Sequence, residues 1–162
     1  MIIISKYKKE RRKDGKIHIL SEEDNVCPLC FGAFQVIGVR DRSLIESTGI
    51  IETLVIRRLR CEDCFKIHHE LPDMIIPYKR HCAETIENVI AGDSVDICCD
   101  LVTEYRIKKW WITFYLYFER VKVSLQMKYG ANFPLMLTPK KIVRIIANTN
   151  LWVHTRTAMT PI

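Results

Sequence analysis

With 162 residues, 48% of them hydrophobic and 27% charged, the chain can bury one ordinary core or two very small ones, which excludes a wholly disordered protein. Its formal charge of +6 is uneven: positions 81–104 hold six acids and no Lys or Arg, whereas positions 105–162 hold ten Lys or Arg and a single acid, Glu119. That reversal points to a polyanion as partner for the C-terminal region and argues against an acidic, solvating protein.

In chain order, residues 1–24 read as a basic arm, KYKKERRKDGK, followed by a strand-like IHIL and the acidic turn SEEDN. The three apolar residues of MIIISKYKKERRKDGK precede the charges, the reverse of a secretory signal, so a cytoplasmic setting is expected. Residues 25–80 read as a zinc ribbon. FQVIGVR and TLVIRRLR are β-branched strand candidates joined by the loop SLIESTGI, and KIHHEL is a third strand ended by Pro72.

From Tyr78 the apolar period lengthens, and Ala83, Ile86, Val89 and Ile90 mark a helix stopping at Gly92. Ser94 can cap a second helix through SVDICCDL, and Thr103 a third, EYRIKKWWITFYLYFERVKVSLQMKYG. The apolar run WWITFYLYF falls far short of the roughly 20 residues that span a bilayer, so no membrane contact is expected. Residues 81–130 thus form a helix-turn-helix-like region. In 131–162, Thr138 and Pro139 start a last helix, PKKIVRIIAN, with Ile142, Ile145 and Ile146 on one face, before a tail. The expected fold is α+β: an N-terminal four-cysteine zinc ribbon, made of a β-hairpin plus a third strand, then an all-α helix-turn-helix-like region.

The strongest chemical signal is the pair of motifs Cys27-Pro28-Leu29-Cys30 and Cys61-Glu62-Asp63-Cys64. Two C-x-x-C pairs can set four thiolates around one tetrahedral ion, and one Zn²⁺ per chain is expected. Thirty residues intervene, but a hairpin brings its ends together whatever its length. A thioredoxin-like redox role would need a βαβ setting, which neither motif has. Four cysteines close the coordination shell, so the ion is read as structural, with Arg57, Arg58, Arg60 and Lys66 offsetting its net charge.

Adjacent histidines in a strand point to opposite faces, so His68 and His69 cannot easily share an ion, and one is expected inside and one outside. A metal-dependent hydrolase or nuclease built on His68, His69, Glu70 and Asp73 is the competing catalytic reading. Cys82, Cys98 and Cys99 lack ligand spacing and read as core residues.

In the long helix, Ile107 and Trp110 can face a core and leave Glu104, Arg106, Lys108 and Lys109 to solvent. The stretch from Cys27 to about Trp111 resembles a bacterial family of uncharacterised zinc-ribbon proteins associated with transposable elements, of the domain-of-unknown-function 6431 type. The resemblance rests on CPLCFG, VIRRLRCEDCFKIHHELPDMIIPYKR and YRIKKW. In that family the R-R-x-R-C-x-x-C-x-x-x-H-x-x-L-P string looks like the zinc ribbon ahead of a helix-turn-helix in insertion-sequence transposases. The likeness implies metal ligation by Cys27, Cys30, Cys61 and Cys64, and DNA contact by Arg106, Lys108 and Lys109. Transposases also carry a nuclease domain with three spaced acids, and here only Glu119 follows Glu104.

The function expected from the sequence is therefore zinc-dependent DNA binding without catalysis, as an accessory or regulatory factor of a bacterial mobile element. Arg57, Arg58, Arg60, Lys79, Arg80, Arg106, Lys108 and Lys109 are the DNA-binding candidates. Duplex DNA is the first expected partner and RNA the second, with a recombinase or transposase and a second copy of the chain as protein partners. The alternative is an adaptor that oligomerises through its aromatic helix.

Overall fold

The computed structural model describes residues 1–93, 98–130, 132–134 and 137–153. Three strands open the chain: β1 (Ile2–Ile4), β2 (Tyr7–Arg11) and β3 (Ile17–Ser21). They are followed by β4 (Phe34–Ile45), β5 (Ile51–Cys61) and β6 (Ile67–Pro72), then by helices α1 (Ala83–Ala91), α2 (Leu101–Tyr129) and α3 (Pro139–Asn148).

β5 organises the sheet. Along one edge it pairs antiparallel with β4, from Phe34 opposite Cys61 to Ile45 opposite Ile51. Its other edge is divided: Leu54 and Val55 pair in parallel with β3, and Arg58 to Arg60 pair antiparallel with β6. β2 extends β3 and β1 extends β6, which gives a six-stranded mixed sheet curled into a half-barrel. A tight turn closes the β4–β5 hairpin, with the Gly49 N–H donating to the Glu46 carbonyl at 2.9 Å and Gly49 at φ +83°. That left-handed conformation is one glycine adopts without steric cost.

This architecture corrects the expected zinc ribbon followed by an all-helical, helix-turn-helix-like region. Residues 1–24, read as an arm, supply β1, β2 and β3, and the helices share one core with the sheet, α3 packing on β1, α1 against α3 and α2 against α1. Ile2, Ile3 and Ile4 are each at most 2% exposed, so β1 is apolar on both faces and must be covered from two sides. α3 covers one side and also completes the edge of β1. The Ile3 N–H donates to Asn148 Oδ1 at 2.7 Å, and Asn148 Nδ2 donates to the Ile3 carbonyl at 2.9 Å, as a neighbouring strand would.

Glu23 ties the same corner. Its carboxylate accepts from the Ser5 and Lys6 N–H groups, the Ser5 hydroxyl and Arg144 of α3, at 2.7 to 2.9 Å.

α1 buries Ala83, Thr85, Ile86 and Val89 and ends at Gly92, φ +79°. The second helix expected from Ser94 lies partly outside the described residues, at 94–97, and Cys98 to Asp100 are not helical. The expected Thr103 cap is replaced by Asp100, whose side chain accepts from the Thr103 N–H at 2.7 Å. α2 then runs for 29 residues, about 43 Å at 1.5 Å per residue, burying Ile107, Phe114, Phe118 and Leu125 along one face. α3 starts with Thr138 at the N-cap and Pro139 in its first turn, and buries Ile142, Val143, Ile146 and Ala147. Among the described residues no helix is long and apolar enough to cross a membrane.

Candidate metal centre and arginine face

Because Phe34 pairs with Cys61, the segment just before β4 and the segment just after β5 sit at one end of the sheet. Each forms a tight loop of the same design. The Cys27 N–H donates to the Gly32 carbonyl at 2.9 Å and the Phe31 N–H to the Cys27 carbonyl at 2.8 Å. In the second loop the Cys61 N–H donates to the Lys66 carbonyl at 3.0 Å and the Phe65 N–H to the Cys61 carbonyl at 3.1 Å. The residue after each second cysteine, Phe31 or Phe65, is left-handed at φ +64° and +58°. A non-glycine residue there is uncommon, and both loops hold one.

These loops bring the four sulfurs together. Cys27 Sγ lies 3.6 Å from Cys64 Sγ, Cys30 Sγ lies 3.4 Å from Cys61 Sγ, and all four sulfurs are within 4.8 Å of one another. Four thiolates about 2.3 Å from a central ion form a tetrahedron with edges of about 3.8 Å, so Cys27, Cys30, Cys61 and Cys64 could hold a metal ion. The thiols divide the proton load unevenly: the N–H groups of Cys64 and Asp63 aimed at Cys61, against the opposing effect of burial, draw its thiol down to about 7, whereas Cys30, despite the Gly32 N–H, is pushed up to about 12 by its hydrogen bond with Cys61 and by burial. Gly32 lets the loops interlock, since a Cβ there would meet the Asp63 carboxylate and stand 3.1 Å from Cys61 Sγ.

The histidines divide. His68 is buried, its Nε2 3.7 Å from Cys27 Sγ and its ring edge-on to Phe34; burial first, then nearby positive charge, pushes its pKa down to about 4. His69 is half-buried on the opposite face, its pKa lowered by burial and then by Arg40, Arg58 and Arg42. Glu70 is also buried, so His68, His69, Glu70 and Asp73 do not gather into one cluster of metal ligands among the described residues.

Residues paired directly across a sheet share a face. Arg40 opposes Ile56, Arg42 opposes Leu54, Arg58 opposes both Gly38 and His69, and Arg60 opposes Gln35 and Ile67. Arg40, Arg42, Arg58, Arg60 and His69 therefore share one face. The inner part of that face is apolar, with Leu44, Leu54, Ile56 and Leu71 in the core. Where the apolar part gives way to the arginines, Arg40, Arg42, His69, Leu71, Pro77 and Tyr78 line a recess of about 160 Å³. Among the described residues no carboxylate is within ion-pair distance of Arg40, Arg42, Arg58 or Arg60.

The other candidate bases are placed differently. Arg57 points to the opposite face and grips Glu70 with two hydrogen bonds of 2.6 and 2.8 Å. Half-buried Lys79 has its Nζ 4.2 Å from the Trp110 ring centroid, and exposed Arg80 accepts the Ile45 N–H at its carbonyl. Arg106, Lys108 and Lys109 are exposed on α2, Lys108 lying 3.7 Å from Glu104. Of the eight bases, the sheet thus joins Arg58 and Arg60. Arg40 and Arg42, which complete the cluster, escaped the sequence reading because FQVIGVR ends the strand candidate at Arg40, whereas β4 continues to Ile45. The alternation Arg40-Asp41-Arg42 was the available signal.

No curated protein and no solved structure matches the chain. The family described as Domain of unknown function (DUF6431) matches residues 27–110, from the first cysteine of the cluster to Trp110 in α2. That match spans more than half of the 162 residues and takes in all four cysteines, the β4–β5 hairpin and all five residues of the arginine face, and the chain belongs to this family.

Proposed function

We propose that the chain is a zinc-dependent DNA-binding protein that catalyses no reaction of its own, and that the arginine face of the sheet is its phosphate-binding surface. The observation that carries this reading is the convergence of Arg40, Arg42 and Arg58 on His69, without a carboxylate among the described residues to neutralise them. Guanidinium groups presented in a fixed array suit phosphate oxygens, which accept paired N–H donors.

Zn²⁺ is the proposed ion because it favours four-coordinate thiolate sites and brings no redox chemistry of its own. With the shell closed by cysteine, its role is to clamp the start of β4 to the end of β5. The register that aligns Arg40, Arg42 and Arg58 runs along those two strands. An accessory role in a bacterial mobile element is what the resemblance of the Cys27 to Trp111 stretch implies, and a duplex-binding face is compatible with it.

The test compares wild-type protein with R40A/R42A/R58A for binding of random-sequence duplex DNA near 0.1 M salt, with metal content measured on both. Three lost phosphate contacts should weaken binding by about a hundredfold while one zinc per chain is retained. Equal affinity in a folded, metal-loaded triple variant would overturn the assignment. Preferential binding of RNA at the same face would keep the face and change the partner.

A further inference from the structure

α2 has two apolar faces. Ile107, Phe114, Phe118 and Leu125 form the buried one. Leu101, Tyr105, Ile112, Leu116, Val123 and Met127 are each at least half exposed. At 3.6 residues per turn these six fall within an arc of about 80° centred opposite the buried face. Their spacing alternates four and seven residues, an eleven-residue repeat whose seam drifts by only about 20° per repeat, a slight right-handed wind.

The spacing is also mirror-symmetric. When a second α2 is laid antiparallel with residue 114 at the centre, Leu101 comes level with Met127, Tyr105 with Val123 and Ile112 with Leu116. Charges follow the same symmetry. In an antiparallel pair, each flank of one helix meets the same flank of the other. Glu104 and Lys108 lie on the flank that also carries Glu119 and Lys122; Glu104 already pairs with Lys108 at 3.7 Å and Glu119 with Lys122 at 3.6 Å. The antiparallel arrangement brings Glu104 beside the second copy's Lys122, about two residues from level, and Lys108 beside its Glu119, about one residue from level. The opposite flank carries Lys109 and Arg120, long side chains that can turn their charges to solvent. A parallel, in-register pair would instead set Lys108 beside Lys109 of the other copy.

We infer that two copies of this chain associate through the outer face of α2, antiparallel, about a twofold axis level with residue 114. The interface is isologous, so each apolar or charged contact occurs twice. The six apolar residues supply the dry seam, and the alternating Glu104–Lys108–Glu119–Lys122 ladder sets the register.

The test is the mass of the full, metal-loaded chain by light scattering across about 1 to 100 µM. The expected result is a species of twice 19.0 kDa. I112E/L116E, which places four carboxylates at the centre of the seam, should raise the dimer dissociation constant at least about a hundredfold, with helix content and metal unchanged. K108E and E119K should each weaken association by about tenfold, and K108E/E119K should restore it to within about threefold, because the swapped charges still meet. A monomer throughout the range would overturn the inference. So would a dimer indifferent to I112E/L116E, or a double charge swap no better than the single changes, since that register would then be wrong.

Discussion

Replacing Arg57 with Met retains its apolar stem and removes the guanidinium from Glu70. Glu70 is 1% exposed and takes its two shortest hydrogen bonds from Arg57, so only Asn25 Nδ2, at 3.3 Å, would remain. Breaking a buried pair from one side costs about 3–5 kcal/mol. The Arg57 side chain is 33% exposed, which lets water reach the gap, so a loss of about 2–4 kcal/mol is expected here. For a chain of this length that corresponds to a melting temperature lower by about 5–15 °C. Thermal and urea unfolding, with metal content measured on the same samples, supply the assay. Removing the stranded carboxylate as well, in R57M/E70L, should return at least half of the loss. An R57M protein that melts with the parent yet has lost nucleic-acid affinity would refute the reasoning, because Arg57 would then be a ligand contact rather than a structural one.

Four further outcomes are expected. Cys61→Ser should abolish stoichiometric metal binding and separate the start of β4 from the end of β5, read as lost amide protection at both strand ends. Gly32→Ala should release metal to a competing chelator faster than the parent, because its Cβ would press on Asp63 and Cys61. Asn148→Ala should cost about 1–3 kcal/mol in urea unfolding, since it strips the Ile3 N–H of its partner. Burial alone would raise the Glu23 carboxyl, but the Ser5 and Lys6 N–H groups, the Ser5 hydroxyl and Arg144 outweigh it and lower its pKa. The stability Glu23 provides is then fully present above its unfolded pKa of about 4.3 and lost as pH falls through the lower folded value, so E23Q should trail the parent at pH 7 and approach it as the pH drops through that folded value.

The four-cysteine cluster was legible because its signal is local: two C-x-x-C motifs flanking β-branched runs imply a hairpin, and β4 and β5 form it. Pro72 at the end of β6, Gly92 after α1 and Pro139 at the start of α3 are equally local, and each stands where its backbone chemistry requires. The sheet beyond the hairpin was not legible in the same way. β1 is three residues long and β2 is a charged, exposed edge strand, so neither shows the alternation that marks a half-buried strand. β2 pairs with its neighbour β3, but the pairings that tie this region to the hairpin are far off in sequence, Ile3 of β1 beside Leu71 and Ile17 of β3 beside Leu54, and both are parallel, with no turn to announce them. The arginine face needed the same missing information, since Arg42 joins Arg58 only once the hairpin register is known. In α2 the aromatic run was read as a single stripe, whereas apolar residues occupy two opposite sides of the helix.

The salt dependence of duplex DNA binding tests the central claim most directly, measured for the zinc-loaded parent and for R40A/R42A/R58A from about 50 to 200 mM salt. Each phosphate contact contributes about 0.9 to the slope of log affinity against log salt, so the triple variant should be flatter by close to three units, about 2.7. Parallel lines for the two proteins, or a parent whose binding ignores salt, would contradict the claim that the arginine face holds phosphate.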